Sequence, residues 1–215
     1  MTQADRHRRS HLAPVASSGL AALDEALAGL FWGDNVVLRE STAGTARPLV
    51  DAVLGAQGYA AVLEIGLAET APKGDPDAAV RRILEQAAAL GTGALLVVDD
   101  LGAIVRRDGV DAARRVFTGC CPALLRLGAV AYWTLGPSVP AGLAEEIRRI
   151  TQIVLAVDAD GVAIVRAEAH PPAAVGGCAS ARTIASPSAS TASTICVMRR
   201  ISSASPAGTD GPSVQ

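Results

Sequence analysis

The chain has 215 residues, room for one ordinary domain with or without a tail and well above the size at which core burial becomes marginal. Its apolar share is 50% but only 3% is aromatic, so the core is built from Ala, Val, Leu and Ile, which favours layered strands and helices over an aromatic-rich barrel. Lys and Arg number 19 against 21 Asp and Glu, a formal net charge of -2 that excludes an overall field attracting nucleic acid or an anionic membrane.

The opening residues, MTQADRHRRSHLAPVASSGL, carry basic side chains without a continuous apolar run behind them, so they do not read as a secretory signal. Residues 1–16 are expected to form a flexible arm. His7 and His11 have the i, i+4 spacing of a metal pair but no third ligand nearby. Arg6, Arg8 and Arg9 stand beside no stacking aromatics and read as a solvated arm, not a nucleic-acid contact.

The ordered pattern starts at SGLAALDEALAGL, where Leu20, Leu23, Leu27 and Leu30 share one helical face behind a Ser-Gly start. Asn35 to Glu40 is a near-continuous apolar run, as in a strand covered on both faces. After the loop STAGTARP a helix is expected from Pro48 to about Gln57, with Pro48 at its first position. The alternation repeats: a strand over 60–67, a helix over Asp77 to Leu90 entered through Asp75-Pro76, and the clearest strand, GALLVVDDL, over 93–101. A helix over Asp111 to Leu127, a strand over 129–135 and a helix over Pro140 to Ile150 follow. Asp158-Ala159-Asp160-Gly161 is a turn signal between QIVLAVD and GVAIVRAEA, so the domain should close on an antiparallel hairpin.

This order predicts an α/β fold of three layers, with a mainly parallel sheet and helices on both faces, over residues 17–170. No stretch approaches membrane-spanning length. Cysteines 120, 121, 178 and 196 lack C-x-x-C spacing and read as ordinary thiols, which points to a reducing cytoplasm. Trp133 is expected inside the sheet, and Trp32 either in the core or at a partner surface. No Ser-His-Asp order or nucleophile elbow is visible, and His170 has no evident catalytic partner. Residues 171–215, rich in Ala, Ser, Thr, Pro and Gly, read as a low-complexity disordered tail or as a segment whose natural continuation was lost.

Ligands of such sheets bind beyond the carboxyl ends of the strands. Four stretches lie there: the loop 41–48, Glu69, Asp99-Asp100 and Thr134 to Ser138. Ser18-Gly19-Leu20, Leu23-Asp24, Leu27 and Gly29, leading into the first strand, resemble the opening of the RecA-superfamily ATPases, particularly the KaiC-like branch. LLVVDD at 95–100 is similar to that superfamily's Walker B strand, and Arg148 to Glu168 to its closing hairpin, so the resemblance spans residues 17–170.

That resemblance implies a P-loop NTPase fold with a phosphate loop of the form G-x-x-x-x-G-K-[ST]. Glycines there let backbone N–H groups face phosphate, the lysine neutralises it and the hydroxyl binds magnesium. In this sequence Ser41 and Ala46 stand at the glycines, Arg47 at the lysine and Pro48 at the hydroxyl, while Gly44 and Thr45 are retained. Cβ atoms hinder the positive-φ turns, proline removes a donor and a metal ligand, and a planar guanidinium does not replace a compact ammonium. The resemblance also implies two Glu after the second strand, where Ala68 and Glu69 stand, and a magnesium-supporting aspartate at Asp99.

The expectation is a catalytically degenerate domain with a degenerate Walker A loop, acting as a regulatory or assembly module without efficient ATP hydrolysis. Its partner would be itself or another RecA-like or catalytic domain, with no metal and no cofactor. The alternative is a divergent ATP-binding protein or slow ATPase in which Gly44, Thr45, Arg47 and Asp99 hold ATP and Glu69 is the base.

Overall fold

The computed structural model describes residues 16–27, 29–70, 72–167, 182–185 and 194–197. Residues 1–15, including His7, His11 and the arginine arm, and His170 lie outside the described residues.

Chain order is α1 (Ala21–Leu27), β1 (Asn35–Glu40), α2 (Arg47–Leu54), β2 (Ala61–Gly66), α3 (Leu67–Thr70), α4 (Pro76–Leu90), β3 (Ala94–Asp99), α5 (Leu101–Asp108), α6 (Val110–Leu127), β4 (Val130–Leu135), α7 (Ala141–Ile150), β5 (Ile153–Asp158) and β6 (Gly161–Ala167). The six strands form one sheet in the order β2-β3-β4-β1-β5-β6, parallel except for the β5–β6 hairpin. Two further strands, β7 (Arg182–Ala185) and β8 (Thr194–Val197), pair antiparallel within the segment whose composition suggested no regular structure. Among the described residues no helix is long and apolar enough to cross a membrane.

The period of two along each strand divides the core. Val36 and Leu38, Leu95 and Val97, Val130 and Tyr132, and Leu155 and Val157 face α1 and α2. Their neighbours Val37, Leu96 and Val98, Ala131 and Trp133, and Val154 face α4, α5, α6 and α7. Buried on both sides, these strands read as continuous apolar runs, which is why the sequence exposes them so clearly. Leu20, Leu23, Leu27 and Leu30 are all buried in the first of these layers, although the helix itself covers only Ala21–Leu27.

Trp133 is fully buried and meets Phe117 of α6 edge to face at a centroid distance of 5.0 Å. Its Nε1–H donates to Asn35 Oδ1 at 3.1 Å, so the one polar atom of the largest core side chain is paired, as burial demands. Trp32 is half-buried and packs edge to face on Tyr59 at 5.8 Å.

Helix boundaries follow local chemistry. Asp75 caps α4, accepting from Ala78 N–H at 2.8 Å ahead of Pro76, as the Asp-Pro signal requires. Gly128 ends α6 in the left-handed conformation at φ 66°. Two details depart from expectation. Helix α2 stops at Leu54, where Gly55 N–H donates to Asp51 O and Ala56 N–H to Val53 O, short of Gln57. Pro48 occupies the second helical position, because Arg47 already has helical geometry.

The α1–α2 side leaves β2 uncovered. Val62 is 41% exposed, and β2 is an edge of the sheet.

Candidate functional site

The connections after β1 and β4, adjacent strands, leave on opposite faces: α2 packs with α1, whereas α7 packs with α4, α5 and α6. Such a switch point opens a crevice beyond the strands' carboxyl ends, the usual ligand position of this architecture. The loop 41–46 leaves β1 at that crevice, and Asp99 and Thr134 end the neighbouring β3 and β4.

Four N–H groups along the loop and its exit are taken up by the chain itself. Ser41 N–H donates to Val157 O at 3.1 Å, Thr45 N–H to Thr42 O at 3.2 Å, and Arg47 N–H to Gly44 O at 3.2 Å. Ala46 N–H donates to Glu40 Oε1 at 2.7 Å, a charge-assisted bond closing the turn back onto β1. The Thr45 hydroxyl is also turned inward, donating to Thr42 O at 2.8 Å with Val157 O at 3.3 Å. Gly44 alone has positive φ, at 83°, and a Cβ there would meet nothing within 4 Å. Its conformation is what the tight turn needs; the space around it is open.

Arg47 points away from the loop. Its guanidinium contacts Glu64 of β2 at 2.5 Å and Asp51, one helical turn on, at 2.7 Å. All three side chains are exposed, at 51% for Arg47, 58% for Asp51 and 36% for Glu64, so each pair contributes only about 0 to 1 kcal/mol.

Asp99 accepts a short hydrogen bond from the Thr134 hydroxyl on the adjoining strand. Thr134 is 2% exposed, so this bond fixes the aspartate at the strand end. The Asp99–Asp100 peptide is cis. Asp100 then ties the ends of β3 and β4 together. It caps α5 by accepting from Gly102 N–H at 2.7 Å, accepts from Gly136 N–H at 3.3 Å, and meets Arg106 at 3.3 Å. Arg106 also donates to the Ser138 hydroxyl at 2.7 Å. A Cβ on Gly102 would strike Ser138 Oγ and meet the Asp100 carboxylate at 2.9 Å, so a larger residue there would have to displace these two side chains.

Glu69 is exposed on the short helix α3. The segment around it is held by arginines: Arg107 donates to Ala68 O at 3.2 Å and Pro72 O at 3.4 Å, Arg82 to Thr70 O at 2.7 Å, and Asp108 accepts from Gly74 N–H at 3.1 Å. Among the described residues no hydrogen bond joins Glu69, Asp99 and the loop. The structure therefore brings Gly44, Thr45 and Arg47 into one turn, Asp99 against Thr134, and Glu69 onto a separate tethered segment.

Sequence reasoning placed Asp100 and Ser138 at the strand ends but missed Glu40 and Arg106, the side chain that links Asp100 to Ser138. Glu40 carried no signal beyond its place at a strand end. Asp100 did: an Asp opening an apolar-periodic run, LGAIV, is a cap signature. The vicinal thiols sit inside α6 as expected. Cys120 is buried and Cys121 half-buried, and burial pushes the Cys120 thiol up to about 12, far from a reactive thiolate.

No protein-family model and no curated protein matches the chain. Among solved structures, a KaiC-like protein of the hyperthermophilic archaeon Pyrococcus horikoshii OT3 is similar, with 20% identity, a TM-score of 0.59, and coverage of 75% of this chain and 92% of that one. At that identity the likeness is one of fold: a six-stranded, mostly parallel sheet closed by an antiparallel hairpin, the RecA-type architecture of KaiC-like domains.

Proposed function

We propose that this chain is a catalytically degenerate RecA-type module that acts through binding or assembly, with itself or with another RecA-like or catalytic domain, and does not hydrolyse ATP efficiently. One observation carries the reading. The N–H groups of Ser41, Thr45, Ala46 and Arg47, on the loop that would cradle phosphate, already donate to Val157, Thr42, Glu40 and Gly44. A triphosphate would have to displace a carboxylate and three carbonyls to reach them, and Pro48 adds no donor. Each exchanged bond has no net gain to offset the disruption, since a typical intramolecular hydrogen bond contributes only about 0.5 to 1.5 kcal/mol. Arg47 is held by Glu64 and Asp51, which supports the same conclusion.

The test is a thermal melt and a phosphate-release assay with Mg-ATP. A ligand at 100 times its dissociation constant adds about 2.7 kcal/mol, or roughly 5 to 11 °C for a domain of this size. The expected result is no shift and no release, with self-association or partner capture read separately by light scattering. Saturable magnesium-dependent binding with release would replace this reading by the slow ATPase using Arg47, Glu69 and Asp99. Binding without release would replace it by an ATP sensor.

A further inference from the structure

We propose that the cavity between α7 and the sheet, on the face away from α1 and α2, is a binding site for a small organic carboxylate with an aliphatic body. Its volume is about 260 Å³, near the lower end of small-molecule sites. The site is distinct from the loop 41–46 and does not rest on the nucleotide reading.

The floor is apolar and comes from three adjacent strands: Leu135 of β4, Val37 of β1 and Val154 of β5. The helical wall is Ala141 and Ala144, whose single methyl groups leave space that larger side chains of a close-packed interior would fill. The remaining strand contributes Val165 through an irregularity. Pairing passes from Val154 opposite Arg166 to Leu155 opposite Ile164, so Val165 is the extra residue of a β-bulge. Bulges re-aim a side chain, and this one delivers a valine to the cavity lining.

The mouth carries charge. Glu145 and Arg148 of α7 line the cavity but are committed to each other: Arg148 donates to Glu145 twice at 2.6 Å, and Arg149 adds a third contact at 3.3 Å. Arg39 of β1 lines the same cavity and has no hydrogen-bond or ion-pair partner among the described residues. A guanidinium presents paired N–H donors that match the two oxygens of a carboxylate, and the floor beside it takes hydrocarbon. A carboxylate with a short branched chain uses both features. Inorganic phosphate would use Arg39 alone, and a neutral amide the floor alone.

The test titrates the isotopically labelled full chain with 4-methylpentanoate as probe, followed by NMR at Ala141, Ala144 and Val154. The expected result is saturable shifts at these positions, with 4-methylpentanamide and inorganic phosphate each weaker by about tenfold or more, the loss expected for one charged hydrogen-bonding partner. Arg39→Met should weaken the probe by about the same factor without changing the spectrum elsewhere, because Arg39 is exposed and makes no hydrogen bond or ion pair among the described residues. Ala144→Leu should close the cavity and abolish the shifts. Absence of saturable shifts in the native chain, or unchanged affinity in Arg39→Met, would overturn the proposal whether or not Ala144→Leu folds.

Discussion

Replacing Glu40 by alanine is the sharpest probe of how the loop's Ala46 donor is held. Ala46 is 1% exposed, and its N–H donates to Glu40 Oε1 at 2.7 Å. Truncation leaves that donor facing a buried turn. Orphaning a buried donor costs about 1 to 3 kcal/mol, and because Glu40 is itself half-buried some water can enter, which favours the lower half of that range, about 1 to 2 kcal/mol. For a chain of this length that is a fall in Tm of about 2 to 8 °C. Glu40→Gln keeps an acceptor at the same position and loses the charge, so it should cost about half as much. Urea unfolding should show a lower midpoint with an unchanged slope for both variants. Glu40→Ala should also gain no Mg-ATP binding, since the Ser41, Thr45 and Arg47 donors stay engaged. An alanine variant within about 0.3 kcal/mol of the native chain would refute the account of how this loop is held, because that is the range of an unremarkable surface change.

Thr134→Val should destabilise by about 1.5 to 3 kcal/mol, the range for hydrogen bonds to charged groups, because Asp99 loses its hydroxyl partner; equal melting curves would count against it. Gly19→Ala should cost more than the roughly 1 to 2 kcal/mol of a left-handed alanine, since φ is 79° and the new Cβ also meets the Ala52 carbonyl carbon at 2.8 Å; a stable, well-folded variant would contradict the packing of α1 on α2. The Glu145 carboxyl, lowered to about 2 by its bonds to Arg148 and then Arg149, should titrate far below an ordinary glutamate in a carbon-detected NMR titration. Its folded pKa is depressed, so the stabilisation it gives is present above the unfolded value near 4.5 and fades as pH falls toward 2. A Glu145 midpoint near 4.5 would show that the arginine pairing does not persist in solution.

The strands were legible because burial on both faces writes an unbroken apolar run, as in Val36 to Leu38 and Leu95 to Val98. The closing hairpin was legible from Asp158 to Gly161, where Asp158 accepts from the Asp160 and Gly161 N–H groups at 2.9 Å. Helix α5 was not read, because eight residues that run through Gly109 into α6 look like the lead-in to a single longer element. Strand order was also hidden. That β1 lies between β4 and β5 depends on which faces the crossovers take, and local pattern does not encode it. For the site, residue types at 41–48 identified the departures from a phosphate loop, whereas the partners of the loop's donors come from Glu40 and from Val157 on a strand more than a hundred residues away. The bulge at Val165 likewise has no signature in GVAIVRA, since it arises from pairing with β5.

The bare rim of the sheet at β2 has a consequence for solution behaviour. A lateral strand offers an open row of amide and carbonyl groups that can template accretion of another chain, and Val62 adds an apolar invitation beside it. Glu64, two residues along the same face, gathers Arg47 over that rim, so ionic hydration guards the place where stacking would begin. The Arg47–Glu64 pair thus places charge on the edge that an added strand would have to join, a feature that disfavours such pairing.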